Sequence, residues 1–151
     1  MTDLGRRLLL DTHVWVWYVE AMEQDLGPTL RDILIQANIE RGVWVSVMSA
    51  WEVAVLEAKR RVALSLECSA WIDRALSATG VHLQPLTPAI AIASTRLAGF
   101  AHRDPVDRIL VATARLTGAT LVTRDRRILD YAAKGYLRAL DATPPAETSS
   151  F

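Results

Sequence analysis

Apolar and polar positions along the chain fall into short continuous apolar runs separated by stretches of helical spacing. Arg7-Leu8-Leu9-Leu10 ends at Asp11 and has the pattern of a strand buried on both faces. Residues 13–20, rich in Trp15, Trp17 and Tyr18, predict a short helix. After the break at Gly27-Pro28, Leu30, Ile33, Leu34 and Ala37 recur at helical spacing over 28–41. Gly42 follows, where a left-handed residue closes a helix. Val43-Trp44-Val45 reads as a second strand. Over 48–61, Met48, Trp51, Val55 and Ala58 form one helical stripe. Further helices are predicted over 67–78, 89–97, 105–116 and 126–133, with strands over 81–86, 120–123 and 137–140. Strands alternating with helices predict an α/β domain with a mostly parallel sheet. In such folds ligands gather at the carboxyl ends of the strands.

That rule singles out acids. Asp11 directly follows the first strand, and Asp125 follows Thr120-Leu121-Val122-Thr123-Arg124. Asp107 lies in the first turn of the helix opened by Pro105. Glu52 lies on the helix after the second strand, one step from the Met48–Val55 stripe. Each acid also has a purely structural explanation. Asp11 and Asp125 precede helices, where Asp is a good N-cap. Asp104 precedes Pro105, the favoured first helical residue, and Asp107 would then complete a capping box. Convergence of several such acids calls for something more. A like-charge pair at about 4 Å costs roughly 4 kcal/mol at an effective dielectric near 20. An N-cap contributes only about 1 kcal/mol. A divalent cation reverses the sign of that repulsion, and an all-oxygen donor set selects hard ions such as Mg2+ or Mn2+.

Composition changes this picture in a few places. With 151 residues, 51% of them hydrophobic and 23% charged, the chain suits one folded domain. We assign it to residues 1–142. The tail over 143–151, with two prolines and small polar residues, is expected to be disordered. No apolar run approaches the roughly 20 residues of a membrane span, so no membrane association is expected. The apolar stretch before Asp11 is too short for a secretory leader, and a cytoplasmic location is expected. The single Cys68 excludes an internal disulfide and reads as a small buried side chain. The formal net charge of zero lacks the strong basic balance of many nucleic-acid binders. Yet Lys occurs only at Lys59 and Lys134, and the remaining cations are Arg, whose planar fork suits phosphate. A GC-rich coding sequence would also produce that bias.

Four segments together resemble the PIN-domain ribonucleases of the VapC toxin type. They are Leu8-Leu9-Leu10-Asp11-Thr12-His13-Val14-Trp15; Val45-Ser46 through Ser49-Ala50-Trp51-Glu52-Val53-Ala54; Arg103-Asp104-Pro105-Val106-Asp107-Arg108-Ile109-Leu110-Val111-Ala112; and Thr120-Leu121-Val122-Thr123-Arg124-Asp125. The resemblance covers residues 7–141 in the right order. It implies a three-layer α/β/α sandwich around a mostly parallel sheet of four or five strands. It also implies Mg2+- or Mn2+-dependent endonucleolytic cleavage of RNA. By position, Asp11, Glu52, Asp107 and Asp125 are the catalytic acids, and Asp11, Asp107 and Asp125 hold the metal. Asp107 fits the third motif better than Asp104, which would cap the helix. Thr12, Ser49 and Thr123 are candidate hydroxyl supports. The resemblance further implies a VapB-type antitoxin partner and a homodimer.

For RNA binding, Lys59 falls on nearly the same helical face as Glu52, and Arg108 and Arg124 flank the acids. Most of these cations would equally serve as solvated surface. His13 and His102 are set aside as general acids, because a metal mechanism does not need them. Two alternatives stay open: a catalytically silent PIN-fold binding module, and a magnesium-dependent phosphoryl-transfer or receiver domain. The second fits poorly, since no second acid stands at His13 and neither Lys59 nor Lys134 follows a strand.

Overall fold

In a computed structural model, residues 7–144 are described. The expected disordered tail lies outside the described residues, apart from its first two positions. The elements run β1 (Leu8–Leu10), α1 (Thr12–Val19), α2 (Glu23–Leu26), α3 (Pro28–Glu40), β2 (Val43–Ser46), α4 (Val47–Ala58), α5 (Cys68–Ser77), β3 (Val81–Gln84), α6 (Pro88–Ser94), α7 (Pro105–Thr117), β4 (Thr120–Thr123), α8 (Arg126–Ala133) and β5 (Arg138–Asp141).

The five strands pair in the order β3-β2-β1-β4-β5, and every pairing is parallel. This is the predicted α/β class with five strands. In β1, side chains alternate between faces as strand geometry requires. Leu8 and Leu10 enter the core formed with Trp15 of α1, Leu34 of α3 and Trp71 of α5. Leu9 enters the opposite core with Ile90 of α6, Leu110 of α7 and Ile128 of α8. Two apolar faces on one strand explain why its sequence is a continuous run. They also make the domain a three-layer sandwich.

Leu8 registers with Val43 on one side and Thr120 on the other. From β1 the chain therefore steps outward to β2 and β3, then returns to the far side for β4 and β5. The crevice between the carboxyl ends of β1 and β4 is the topological switch point, where α/β sheets bind ligands. Asp11 directly follows β1, and Asp125 stands two residues past the end of β4.

Most predicted elements match within a few residues, and Gly42 has the left-handed φ of +84° expected of it. A side chain there would also collide with the His82 ring and the Gly80 carbonyl. Two readings need correction. The four-residue α2 was not foreseen, being too short to carry a periodic signal. The inward stripe of α4 is also different. Trp51 is 58% exposed, and the buried residues of α4 are Ser49 and Val53. A small polar residue turns inward because Thr12 donates its hydroxyl proton to Ser49 Oγ at 2.9 Å. A purely apolar criterion cannot detect that contact.

Candidate active site

Asp11 is only 9% exposed. Its Oδ1 accepts from the Thr12 N–H at 2.6 Å and its Oδ2 accepts from the Thr123 hydroxyl at 2.6 Å. Thr123 Oγ in turn accepts the Asp125 N–H at 3.0 Å. One hydroxyl thus ties the acid after β1 to the acid after β4. Asp125 caps α8, its Oδ1 accepting from the N–H groups of Arg127 and Ile128 at 2.9 and 3.1 Å. Asp104 caps α7 in the same way, through Val106 and Asp107. Capping and site-building therefore coexist: Asp125 caps with Oδ1, and its Oδ2 stands 3.6 Å from His102 Nε2. The N-terminal ends of α1, α7 and α8 carry these acids, and their partial positive charge favours carboxylates there.

The cleft has a volume of about 290 Å³, and Asp11, Glu52, Asp104, Asp107 and Asp125 all line it, with His13, Trp17 and Arg124 at its walls. The four acids named from sequence are thus brought together, with Asp104 at their margin. Their electrostatics show the strain of convergence. Burial raises the Asp107 carboxyl to about 8, with the Asp11, Asp104 and Asp125 charges adding to the effect. Asp11 is raised by burial, against the opposing pull of Thr123. Glu52 is raised by burial, then by the charges of Asp11 and Asp104. Among the described residues, the basic group shown within 4 Å of both the Asp107 and Asp125 carboxylates is the His102 ring. Buried oxygens with raised affinity for protons and little paired positive charge suit a hard divalent cation. Asp11, Asp107 and Asp125 are the residues that would hold it.

His102 was set aside in the sequence, yet it stands against the acids. Its Nε2 lies 2.6 Å from Asp107 Oδ2 and 3.6 Å from Asp125 Oδ2. The signal available in the sequence was its position two residues before a helix cap, which says nothing about the direction of its ring.

The three cations named for RNA contact have separate positions. Arg124 lines the cleft, with its guanidinium 3.9 Å above the Trp17 ring and 3.9 Å from Asp25. Lys59 caps the exposed end of α4, and is not among the residues lining the acid cleft. Arg108 has a structural engagement instead. Its Nε donates to the Ser94 carbonyl at 2.7 Å, and its Nη1 donates to the carbonyls of Phe100 and His102 at 3.0 and 2.8 Å. It follows Asp107 by one position and so turns to the other side of α7, onto the 95–104 loop. We expect Arg108→Ala to lower stability by about 2–4 kcal/mol in urea unfolding, since a charged donor is lost and three carbonyls lose their partner. An unfolding midpoint equal to the parent would refute this bracing role. A second cleft of about 540 Å³ adjoins the first through Asp104 and is lined by His102, Arg103, Arg127, Tyr131 and Lys134, among others.

An all-parallel α/β sandwich with carboxylates gathered at its switch point defines an acid-cluster α/β domain. Comparison with known proteins agrees. The PIN domain family model matches residues 8–134, and the chain belongs to the PIN-domain family. It is 31% identical over 121 residues to Ribonuclease VapC22 of Mycobacterium tuberculosis (strain ATCC 25618 / H37Rv), spanning 80% of this chain and 88% of that protein. Its fold is similar to that in VapBC2 from Rickettsia felis bound to a promoter DNA fragment, with a TM-score of 0.64, 14% identity, and coverage of 89% of this chain and 97% of the other. It is also similar to a toxin–antitoxin complex from Klebsiella pneumoniae, with a TM-score of 0.59, 20% identity, and coverage of 91% and 98%. Among the described residues no helix is long and apolar enough to cross a membrane.

Proposed function

We propose that this protein is a divalent-cation-dependent endoribonuclease acting as the toxin of a VapBC-type pair. One observation carries the reading: Asp11, Glu52, Asp107 and Asp125 line a single cleft, and burial raises three of them, Asp11, Glu52 and Asp107. A bound Mg2+ or Mn2+ would supply Lewis-acid polarisation of the phosphodiester and acidify a water molecule. Asp11, held by Thr12 and Thr123, fixes one wall of the cation site. Asp107 and Asp125 complete it from α7 and α8. Glu52, its proton affinity raised by burial, is suited to accept the proton of the attacking water. In-line attack leaves a 5′-phosphate and a 3′-hydroxyl.

RNA phosphates are assigned to Arg124 beside the acids and to Arg103 and Lys134 around the adjoining cleft. Arg108 is omitted because its Nε and Nη1 are turned onto backbone carbonyls, and Lys59 because it is not part of the cleft lining. Arg124→Ala is expected to weaken binding of single-stranded RNA and to reduce the log–log salt slope by about 0.7, the value for one phosphate contact. Filter binding across a salt series measures it, and an unchanged slope removes Arg124 from the interface.

The antitoxin partner rests on the relatives, whose solved forms include toxin–antitoxin complexes. A homodimer belongs to the same reading, and light scattering of the purified chain tests it. The deciding experiment for the activity incubates purified protein with RNA in Mg2+, Mn2+ or EDTA and maps the new ends. Ends bearing 5′-phosphate, formed only with metal, support the reading. Intact RNA in all three leaves a silent binding module.

A further inference from the structure

We propose that His102 is a positioning residue that orients Asp107 for the cation, and is not itself a cation ligand. This rests on the metal-dependent reading of the cleft. The His102 Nε2, Asp107 and Asp125 ligand atoms all lie within 4.8 Å of one another, a spacing that would suit a three-residue metal site. Hydrogen bonding on the other side of the ring decides against it. Arg127 Nη1 stands 3.1 Å from His102 Nδ1, and the Asp104 N–H reaches the same nitrogen at 3.5 Å. A guanidinium and a backbone N–H have no acceptor to offer. Nδ1 must therefore present its lone pair, and the ring proton sits on Nε2.

Nε2–H then donates to Asp107 Oδ2 at 2.6 Å. Ligation of a metal through Nε2 while Nδ1 still accepts from Arg127 would require an imidazolate. The chain of hydrogen bonds runs from Arg127 to His102 to Asp107. It holds one oxygen of Asp107 and leaves the other available to a cation. Two further contacts hold His102, one on its ring and one on its backbone. Phe100 meets it edge-on, with centroids 5.7 Å apart and planes at 69°, and Arg108 holds the His102 carbonyl at 2.8 Å. Such outer-sphere hydrogen bonds to metal ligands typically change metal affinity by about 10- to 100-fold.

The test uses the full chain labelled with 15N-histidine. In the metal-free protein, two-bond 1H–15N spectra should give His102 the Nε2–H pattern, assigned by its disappearance in His102→Gln. Mn2+ binding followed by electron paramagnetic resonance should weaken about 10- to 100-fold in His102→Ala. It should largely recover in His102→Gln, whose amide N–H can reach the position of Nε2. Spin-echo modulation of the bound Mn2+ should show no directly coordinated nitrogen from His102. An Nδ1–H pattern, a coordinated His102 nitrogen, or equal affinities for the Ala variant and the parent would each overturn the proposal. Failure of the parent protein to bind Mn2+ would overturn the functional reading and the cation-orienting role together. An Nδ1–H pattern in a protein that still binds Mn2+ would overturn the proposal and leave the functional reading standing.

Discussion

Asp11→Asn is expected to reduce metal-dependent RNA cleavage by at least about 100-fold, a barrier increase of roughly 2.7 kcal/mol at 1.36 kcal/mol per decade. The fold should survive. An asparagine oxygen can still accept the Thr12 N–H, and its NH2 can donate to Thr123 Oγ in place of accepting from it. The variant should even be more stable than the parent without metal, because Asp11 is the foremost of the charges that add to burial in raising Asp107. Lost cleavage with an unchanged or raised unfolding midpoint distinguishes a cation-holding role from a structural one. Retained cleavage in a preparation free of contaminating nuclease would remove Asp11 from the site.

The second large effect is a fall in metal-free stability as pH rises. Asp107 has a folded-state value near 8, against 3.8 as its ordinary value. A group that holds its proton more tightly when folded contributes stability that is complete below its unfolded value. That stability is lost as pH rises toward the folded value. Between about pH 4 and 8 the loss approaches 1.4 kcal/mol per pH unit for one proton. Asp11 and Glu52 are raised too and act in the same direction. Glu20, Glu67 and Asp141 are lowered, so their contributions are present above the ordinary carboxylate range and lost only as pH falls below it. The window from pH 5 to 8 therefore belongs to the acid cleft. Thermal melts in EDTA should show a midpoint falling across it. Mn2+ should restore more stability at pH 8 than at pH 5, where it competes with protons. In Asp11→Asn the fall should be shallower. A midpoint that is flat or rising in EDTA would contradict the raised carboxyls.

The two effects share one cause, which also explains how the structural and functional explanations of each acid relate. From sequence, an aspartate before a helix is accounted for by capping alone. In the structure Asp125 and Asp104 do cap their helices, yet both also line the cleft. A carboxylate has two oxygens, and an N-terminal helix end at a sheet's carboxyl edge directs one to the helix and the other outward. The helices that need caps are therefore the same elements that bring the acids together.

Arg108 and His102 mark the limit of reading side chains from a linear pattern. Arg108 was expected to contact RNA, and His102 was set aside as a general acid. A helical step of about 100° per residue turns Arg108 away from Asp107, and the donors available in its guanidinium fork find backbone carbonyls there. The loop that carries His102 folds its ring back onto Asp107. Nothing in the identity of residues 95–104 specifies that return, since it depends on α6 packing against α7. Trp51 errs in the opposite sense: helical spacing placed it on the inward stripe, and the Thr12–Ser49 contact turned α4 so that it faces outward.

The sequence by itself determined the alternation of strands and helices, the mostly parallel class and the burial of the first strand, and it named the four acids that the cleft brings together. These are written in local periodicity and in residues placed after strands. Only the tertiary structure decided which oxygen of each acid faces the cleft, that Arg108 braces a loop, and that His102 stands on Asp107. Those outcomes depend on contacts between residues distant in sequence, such as Thr123 with Asp11 and Arg127 with His102. Their geometry is set by how whole helices pack on the sheet and is not encoded in any single stretch of chain.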